Sequence, residues 1–151
     1  LQRQLLNFRS GLRGSHKDET YGAQMRAGSQ ATLPDEKAIA AVATYIAALP
    51  RTDVKPAGKF DARNGNNLYQ GKCGACHGGQ AEGNEALSAP RLAGLDAAYI
   101  KRQHRNFGKG LRGAQPQDRY GRQMALMATT LASERDLDDV IGHIHAAGAA
   151  R

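Results

Sequence analysis

The 151-residue chain contains an internal repeat, and this repeat constrains the fold more than any other feature of the sequence. When the chain is aligned with itself at an offset of 99, residues 1–25 match residues 100–124 without gaps at 12 of 25 positions. The matched residues of the first copy are Arg3, Gln4, Asn7, Phe8, Gly11, Leu12, Arg13, Gly14, Tyr21, Gly22, Gln24 and Met25. A match of this extent indicates two copies of one structural unit.

Each copy continues into a segment whose apolar residues recur at helical spacing. These segments predict helices over 35–48 and 134–147, with Ser133 as the N-cap of the second. The apolar faces comprise Ile39, Val42, Ala43 and Ile46 in the first copy and Leu137, Val140, Ile141 and Ile144 in the second. Further helices are predicted over 64–72 and 97–107. Because no useful length of chain shows the alternation of a half-buried strand, the sequence predicts an all-α fold.

The segment after the first predicted helix separates the two copies. It has alternating charge and no apolar periodicity, which is typical of a linker. The predicted organisation is the C-terminal part of a first domain over 1–50, a linker over 51–59 and a complete second domain over 60–151. Leu1 aligns with Ile100 in the middle of the second unit, so the first copy is expected to lack its opening ~40 residues.

Composition excludes several classes of protein. Three Phe, five Tyr and no Trp leave little bulky apolar material for two cores, which leaves room for a non-protein group in the interior. Two cysteines are too few for a disulfide-rich scaffold or a four-thiolate zinc site. The longest apolar run, 38–49, is well short of the ~20 residues of a transmembrane helix. The chain has no secretory signal pattern at its start, so a processed or truncated product is expected.

The two cysteines and one histidine fall within a single pentapeptide, Cys-Gly-Ala-Cys-His, formed by residues 73–77. On a helical turn, Cys73 and Cys76 are spaced to form thioethers with the two vinyl groups of a haem, and His77 places an imidazole at the iron. A dithiol redox motif, a zinc site and a plain buried cysteine pair are the competing interpretations. The first needs a βαβ context and the second another cysteine pair, and the sequence has neither.

The sixth position of such an iron would distinguish a carrier from a catalyst. Three methionines are candidates, although methionine more often fills a core than binds a metal. Met124 pairs with Met25 in a Tyr-Gly-x-Gln-Met pattern present in both copies, whereas Met127 aligns with Gly28. The repeat therefore favours Met124 over Met127 as the distal ligand.

These features together resemble a class I cytochrome c domain. The resemblance rests on the pentapeptide 73–77, on Ala-Pro-Arg-Leu-Ala-Gly over 89–94, on 99–112, on Met124 and on the closing amphipathic helix. The duplication most resembles the two-haem cytochromes c of the c-four family. It implies a cytochrome c fold in tandem domains, the first of them incomplete, with haem c as the cofactor.

The resemblance also implies roles for individual residues. His77 would be the proximal ligand, Met124 the distal ligand, and the carbonyl of Pro90 the acceptor for the other ring N–H of His77. The first unit departs from the family because it has no Cys-x-x-Cys-His in this chain, although it keeps Met25. Either an upstream attachment half is missing and Met25 serves a second haem, or the unit is degenerate and Met25 is core. The many matching residues near Met25 favour the first explanation.

Basic residues dominate the segment 101–122. The seven basic residues against one acid are Lys101, Arg102, Arg105, Lys109, Arg112, Arg119 and Arg122. This run is either a solvated face or a docking surface beside the haem for an acidic partner. Arg112, repeated as Arg13, is a further candidate to bind a haem propionate.

An iron held by histidine and methionine has no open position, which predicts an electron carrier rather than an enzyme. The family resemblance implies a bacterial periplasmic protein between donors such as a quinol-oxidising complex and a terminal oxidase. A nucleic-acid partner is not expected, because the basic residues surround a redox site without interleaved exposed aromatics. The alternatives are a haem enzyme, such as a peroxidase or thiosulfate-oxidising subunit, and a fixed cytochrome subunit of a larger respiratory complex.

Overall fold

A computed structural model describes residues 1–50, Val54 and 58–149 of the chain. The helices are α1 (Gln2–Ser10), α2 (Thr20–Thr32), α3 (Glu36–Ala48), α4 (Ala62–Lys72), α5 (Gly74–His77), α6 (Ala97–Gly108), α7 (Arg119–Ala128) and α8 (Glu134–Ala149). Within these described ranges the β pairing consists of one isolated bridge between Asn84 and Ala89, and there is no strand. The predicted all-α fold is confirmed.

All four predicted helices are present as α3, α4, α6 and α8, and each of their ends lies within two residues of the prediction. Side chains fix two of the starts. The Asp61 carboxylate accepts a hydrogen bond from the Asn64 N–H at 2.9 Å, so α4 begins earlier than predicted. The Ser133 hydroxyl accepts one from the Asp136 N–H at 3.1 Å at the start of α8. Helices α1, α2, α5 and α7 were not predicted as separate elements.

The core of the second unit lies where α4 crosses α8. The predicted apolar face of α8 is buried there, and Ile144 is only 1% exposed. A Cβ atom on Gly65 would lie 2.2 Å from the carbonyl oxygen of Asp139, so only glycine permits this close approach of the two helices. The fully buried ring of Tyr69 fills the same cluster. This crossing holds the end of α4, and therefore the start of the pentapeptide, against the C-terminal helix.

The first unit has a separate and smaller core. It consists of Leu5, Leu33, Ile39 and Ala43, contributed by α1, the α2–α3 turn and α3. Ile46, the last residue of the predicted apolar face, is 43% exposed, whereas its counterpart in α8 is buried. The physical reason is that α4 covers α8, while no helix among the described residues covers the equivalent face of α3. The predicted linker, 51–59, lies mostly outside the described residues, and the domain boundaries stay a prediction.

The two copies of the repeat meet each other in an interface of approximate two-fold symmetry. The Arg13 guanidinium donates to the side-chain oxygens of Gln4 and Gln103, at 2.7 and 3.0 Å. The Arg112 guanidinium donates to those of Gln103 and Gln4, at 2.8 and 2.9 Å. Because Gln4 aligns with Gln103 and Arg13 with Arg112, exchanging the copies converts one set of contacts into the other.

A second pair of contacts in this interface is also reciprocal. The Arg3 guanidinium lies over the Tyr120 ring, 4.7 Å from its centroid, and the Arg102 guanidinium lies over the Tyr21 ring at 4.6 Å. Arg3 aligns with Arg102 and Tyr21 with Tyr120. Several of the repeated residues are therefore repeated because they form this interface.

Candidate haem site

The pentapeptide forms a single tight turn at the end of α4. Cys73 is the residue between α4 and α5, and its carbonyl accepts hydrogen bonds from the N–H groups of Cys76 and His77, at 3.1 and 2.9 Å. Both thiols are free; Cys73 is half-buried and Cys76 exposed. The backbone of this turn therefore holds two thiols and one imidazole within five residues.

The imidazole of His77 is buried and oriented by the loop that follows. Its Nδ1 lies 2.8 Å from the carbonyl oxygen of Pro90. Because a carbonyl only accepts, Nδ1 carries the proton and Nε2 keeps its lone pair for a metal. Burial lowers the pKa of His77, against a smaller opposite effect of the Pro90 hydrogen bond, which keeps the ring neutral.

The Pro90 carbonyl is in turn held by a short folded loop. Asn84 and Ala89 exchange two backbone hydrogen bonds of 2.9 Å each. The carbonyl of Ala81 accepts from the N–H groups of Leu92 and Ala93, at 2.9 and 3.0 Å. The loop is thereby anchored on both sides of Pro90, so the histidine meets a fixed acceptor.

The thiol environment bears on the competing interpretations. Burial raises the pKa of the Cys73 thiol to about 11, whereas a dithiol redox motif needs a thiolate at neutral pH. Within the described ranges, no group of three or more His, Cys, Asp or Glu side chains is placed to hold a metal ion. The zinc interpretation therefore lacks ligands there. Two free thiols beside an oriented imidazole fit covalent haem.

The three methionines differ in exposure. Met124 lies half-buried on α7, and Met127, one turn later, is 38% exposed. Met25 occupies the equivalent position on α2 and is 46% exposed. The start of α7 is fixed by the Asp118 carboxylate, which accepts from the Gly121 N–H at 2.9 Å. Asp118 was the available sequence signal for this unpredicted helix, because aspartate is a favoured N-cap.

Arg112 lies half-buried in the interface between the copies. Its guanidinium lies over the Phe107 ring at 4.4 Å, and its hydrogen-bond acceptors are two neutral amides. Burial, and then repulsion from Arg13, lower the pKa of Arg112 to about 10. The Nε of Arg13 is buried without a hydrogen-bond partner in the described part of the chain. The buried guanidinium of Arg13 and the half-buried one of Arg112, both with amide partners, form an environment that suits a carboxylate, such as a haem propionate.

The basic segment does not form one continuous face. Lys101 and Arg105 form ion pairs with carboxylates of α8, at 2.5 Å each. Arg102 and Arg112 lie in the interface between the copies. Within the segment 101–122, the exposed basic residues that form no ion pair with another described residue are Lys109, Arg119 and Arg122. A docking surface beside the haem therefore has fewer exposed, unpaired positive charges than the sequence indicated.

Tyr69 is a site residue that the sequence reasoning missed. Its hydroxyl donates to the carbonyl oxygen of Gly78 at 2.6 Å, immediately after the pentapeptide. The available signal was its spacing, because a residue four positions before Cys73 lies on the same face of α4. Tyr69 therefore connects the buried core to the turn that carries the thiols and the imidazole.

Comparison with known proteins agrees with this geometry. The family model described as Cytochrome c matches residues 62–147, which include the pentapeptide, the Pro90 loop and Met124. The chain belongs to the cytochrome c family. Members of this family bind haem c, and Cys73 and Cys76 have the spacing of its attachment motif. The resemblance to class I cytochromes c is confirmed, as is haem c as the cofactor.

Individual relatives of this cytochrome c carry several names. Cytochrome c-554(547) of Halothiobacillus neapolitanus is 37% identical over 87 residues, which are 56% of this chain and 93% of that protein. The thiosulfate dehydrogenase electron acceptor of Stutzerimonas stutzeri is 41% identical over 54 residues, covering 36% of this chain and 25% of that protein. The cbb3-type cytochrome c oxidase subunit FixP of Bradyrhizobium is 32% identical over 82 residues, which are 54% of this chain and 27% of that subunit.

A solved structure matches nearly the whole chain. It is a cytochrome c4 from Acidithiobacillus ferrooxidans, with a TM-score of 0.71, covering 96% of this chain and 81% of that one. At 23% sequence identity the likeness shows the fold alone. This cytochrome c therefore shares the fold of a cytochrome c4 over the described first copy as well as the second unit.

Proposed function

We propose that this cytochrome c transfers single electrons between respiratory redox partners in the bacterial periplasm, through haem c bonded to Cys73 and Cys76. His77 and Met124 are its axial ligands in this proposal, and Arg112 holds a propionate. The observation that carries the proposal is the 2.8 Å contact of His77 Nδ1 with Pro90, because it directs Nε2 out of the turn that bears both thiols.

The chain's own residues account for a carrier rather than a catalyst. When bound, haem c supplies an iron that gains or loses one electron. Cys73 and Cys76 would hold this group through two thioethers in both oxidation states. His77 and Met124 would supply the two ligands that the protein gives the iron, and would leave no open position for a substrate. The thioether sulfur of Met124 favours the reduced form relative to a second histidine, which raises the reduction potential.

Replacement of each methionine on α7 tests the ligand assignment. In the ferric protein, Met124→Ala should abolish the weak near-infrared sulfur-to-iron absorption band and allow added imidazole to bind readily. Met127→Ala, on the same helix and more exposed, should leave both properties unchanged. The opposite pattern would move the distal ligand to Met127. Because either thioether alone would hold the haem, the attachment is tested with both Cys73→Ser and Cys76→Ser in one variant, and haem that stays covalently bound to this variant would refute the attachment.

The same spectrum separates the carrier from a haem enzyme. A high-spin ferric spectrum with rapid uptake of small ligands by the unmodified protein would favour the enzyme. A fixed subunit is the other alternative, and the similarity to the oxidase subunit FixP supports it. No helix within the described residues is long and apolar enough to cross a bilayer. Migration of the native protein on size exclusion as part of a large assembly would favour the subunit.

A second haem in the first unit is a further part of the proposal. An upstream attachment half would supply the histidine and two cysteines, with Met25 as the distal ligand. Support comes from the repeated Tyr-Gly-x-Gln-Met pattern and from Ile46, whose exposed face on α3 matches the face that α4 covers in the second unit. The intact mass of the native protein gives the haem count. A mass equal to this chain plus one haem would show a degenerate first unit.

Partners in this proposal are acidic redox proteins, such as a quinol-oxidising complex as donor and a terminal oxidase as acceptor. The exposed charges Lys109, Arg119 and Arg122 support an acidic partner. Docking through a few charges is weak and electrostatically steered, so the rate constant for association should fall as salt rises. Stopped-flow electron transfer at several ionic strengths measures this, and a rate that does not depend on salt would exclude an electrostatic docking surface.

A further inference from the structure

Arg3 reaches from the first copy of the repeat into the second unit. Its guanidinium donates a hydrogen bond to the carbonyl oxygen of Ser88 at 2.7 Å and lies 4.7 Å from the centroid of the Tyr120 ring. A hydrogen bond from the Ser88 side chain also holds the pKa of Tyr120 below its usual value. Arg3, Ser88 and Tyr120 therefore form one contact group, with one member from the first copy and two from the second unit.

Ser88 belongs to the loop that supplies the acceptor for His77. Its φ is +55°, a left-handed conformation that a non-glycine residue adopts at a cost of about 1 kcal/mol or more. Such a conformation persists when the surroundings fix it, and the hydrogen bond from Arg3 contributes to that. The carbonyl two residues later, that of Pro90, is the one that meets His77. Restraint at Ser88 is thus transmitted through two residues of backbone to the imidazole.

Tyr120 belongs to the helix that carries the proposed distal ligand. It precedes Met124 by four residues on α7, so the two side chains lie on the same face, one turn apart. The guanidinium of Arg3 packed on the Tyr120 ring restrains the first turn of this helix. Arg3 therefore contacts the loop that supplies the acceptor for His77 and the helix that carries Met124, although Arg3 itself lies in the first copy.

We propose that Arg3 is a positioning residue that sets the reduction potential of the haem in the second unit from across the interface. This rests on the proposed haem ligation. The contacts of Arg3 with Ser88 and Tyr120 would hold the Pro90 loop and α7 at the separation that keeps His77 and Met124 bound, and a weaker bond to the Met124 sulfur would lower the potential. The interface is then part of the redox site as well as a structural contact.

Arg102 provides the matched control. It is the counterpart of Arg3 in the repeat and lies over Tyr21 in the same way, at 4.6 Å. Within the described residues, Arg102 donates no hydrogen bond to a loop carbonyl, and its Nε is buried without a partner. Arg3 and Arg102 thus have the same charge, the same kind of contact with a tyrosine ring and equivalent positions in the repeat. They differ because Arg3 also donates a hydrogen bond to the carbonyl oxygen of Ser88.

The test compares Arg3→Gln with Arg102→Gln in the haem-loaded full chain. In Arg3→Gln the midpoint potential should fall, and the affinity of the ferric protein for added imidazole should rise about fivefold, as expected for the loss of one restraining hydrogen bond. In Arg102→Gln both quantities should stay at the unmodified values. Equal values in Arg3→Gln and the unmodified protein, or equal shifts in both variants, would overturn the proposal.

Lysine variants keep the test valid if Arg3→Gln does not fold. Arg3→Lys preserves the charge and a donor, so its potential and imidazole affinity should lie between those of the unmodified protein and Arg3→Gln. Arg102→Lys should change neither, and a change in it equal to that in Arg3→Lys would contradict the proposal. Absence of the haem mass from the unmodified protein would refute the proposed function. A normal haem spectrum with an unshifted potential would refute the role of Arg3 alone.

Discussion

Removal of the Tyr69 hydroxyl should destabilise the fold by about 1–2 kcal/mol. The Tyr69→Phe change keeps the buried ring and its contact with the His143 ring, whose centroid lies 5.0 Å away, so the apolar burial is unchanged. The change removes the 2.6 Å hydrogen bond to the carbonyl oxygen of Gly78. An acceptor that loses its buried donor costs about 1–3 kcal/mol, and the lower half of that range applies because Gly78 is half-buried and water reaches it in part.

Guanidinium unfolding of the haem-loaded protein, followed by far-ultraviolet circular dichroism, measures this loss. The midpoint should fall while the slope stays constant, because the surface exposed on unfolding does not change. Tyr45→Phe is the control, since Tyr45 is 68% exposed and its hydroxyl is in solvent; its effect should lie within about 0.5 kcal/mol of zero. Equal stability of Tyr69→Phe and Tyr45→Phe would refute the role assigned to this hydrogen bond.

Two further predictions concern the backbone and the response to acid. Gly113→Ala places a Cβ 2.3 Å from the carbonyl oxygen of Gly121 and should cost more stability in the same unfolding assay than Gly94→Ala, which has similar φ but open space around it. Hydrogen bonds from the Asn64 side chain and the Asp61 backbone lower the pKa of Asp139 below its ordinary 3.8. This contribution to stability is complete above pH 3.8 and is lost as the pH falls through the lower folded-state pKa. Asp139→Asn should therefore flatten the acid limb of stability against pH, and an unchanged limb would exclude this carboxylate.

Much of the second unit could be predicted from the sequence, because its signals are local. Helical periodicity and an N-cap at Ser133 located α8, and the spacing within 73–77 located the turn that bears both thiols. Helix α7 escaped prediction because 119–128 has a glycine and few apolar residues in its first turns, so periodicity is weak there. Its N-cap, Asp118, is a local signal that identifies the start of a helix only once the helix is suspected.

The interface between the copies could not be predicted in the same way, although the repeat contained its residues. Two aligned residues that are identical give the same signal in the sequence whether they contact their own unit or the neighbouring one. Gly14 and Gly113 are repeated for a local reason, since a Cβ on either would meet a carbonyl oxygen of its own unit. Arg3 and Arg102 are repeated because each crosses to the other copy. Only the relative placement of the two copies separates these cases, and that placement depends on long-range contacts that periodicity and spacing do not encode. Residues that are identical in both copies but have no partner inside their own unit are therefore the first to test for coupling between the two units.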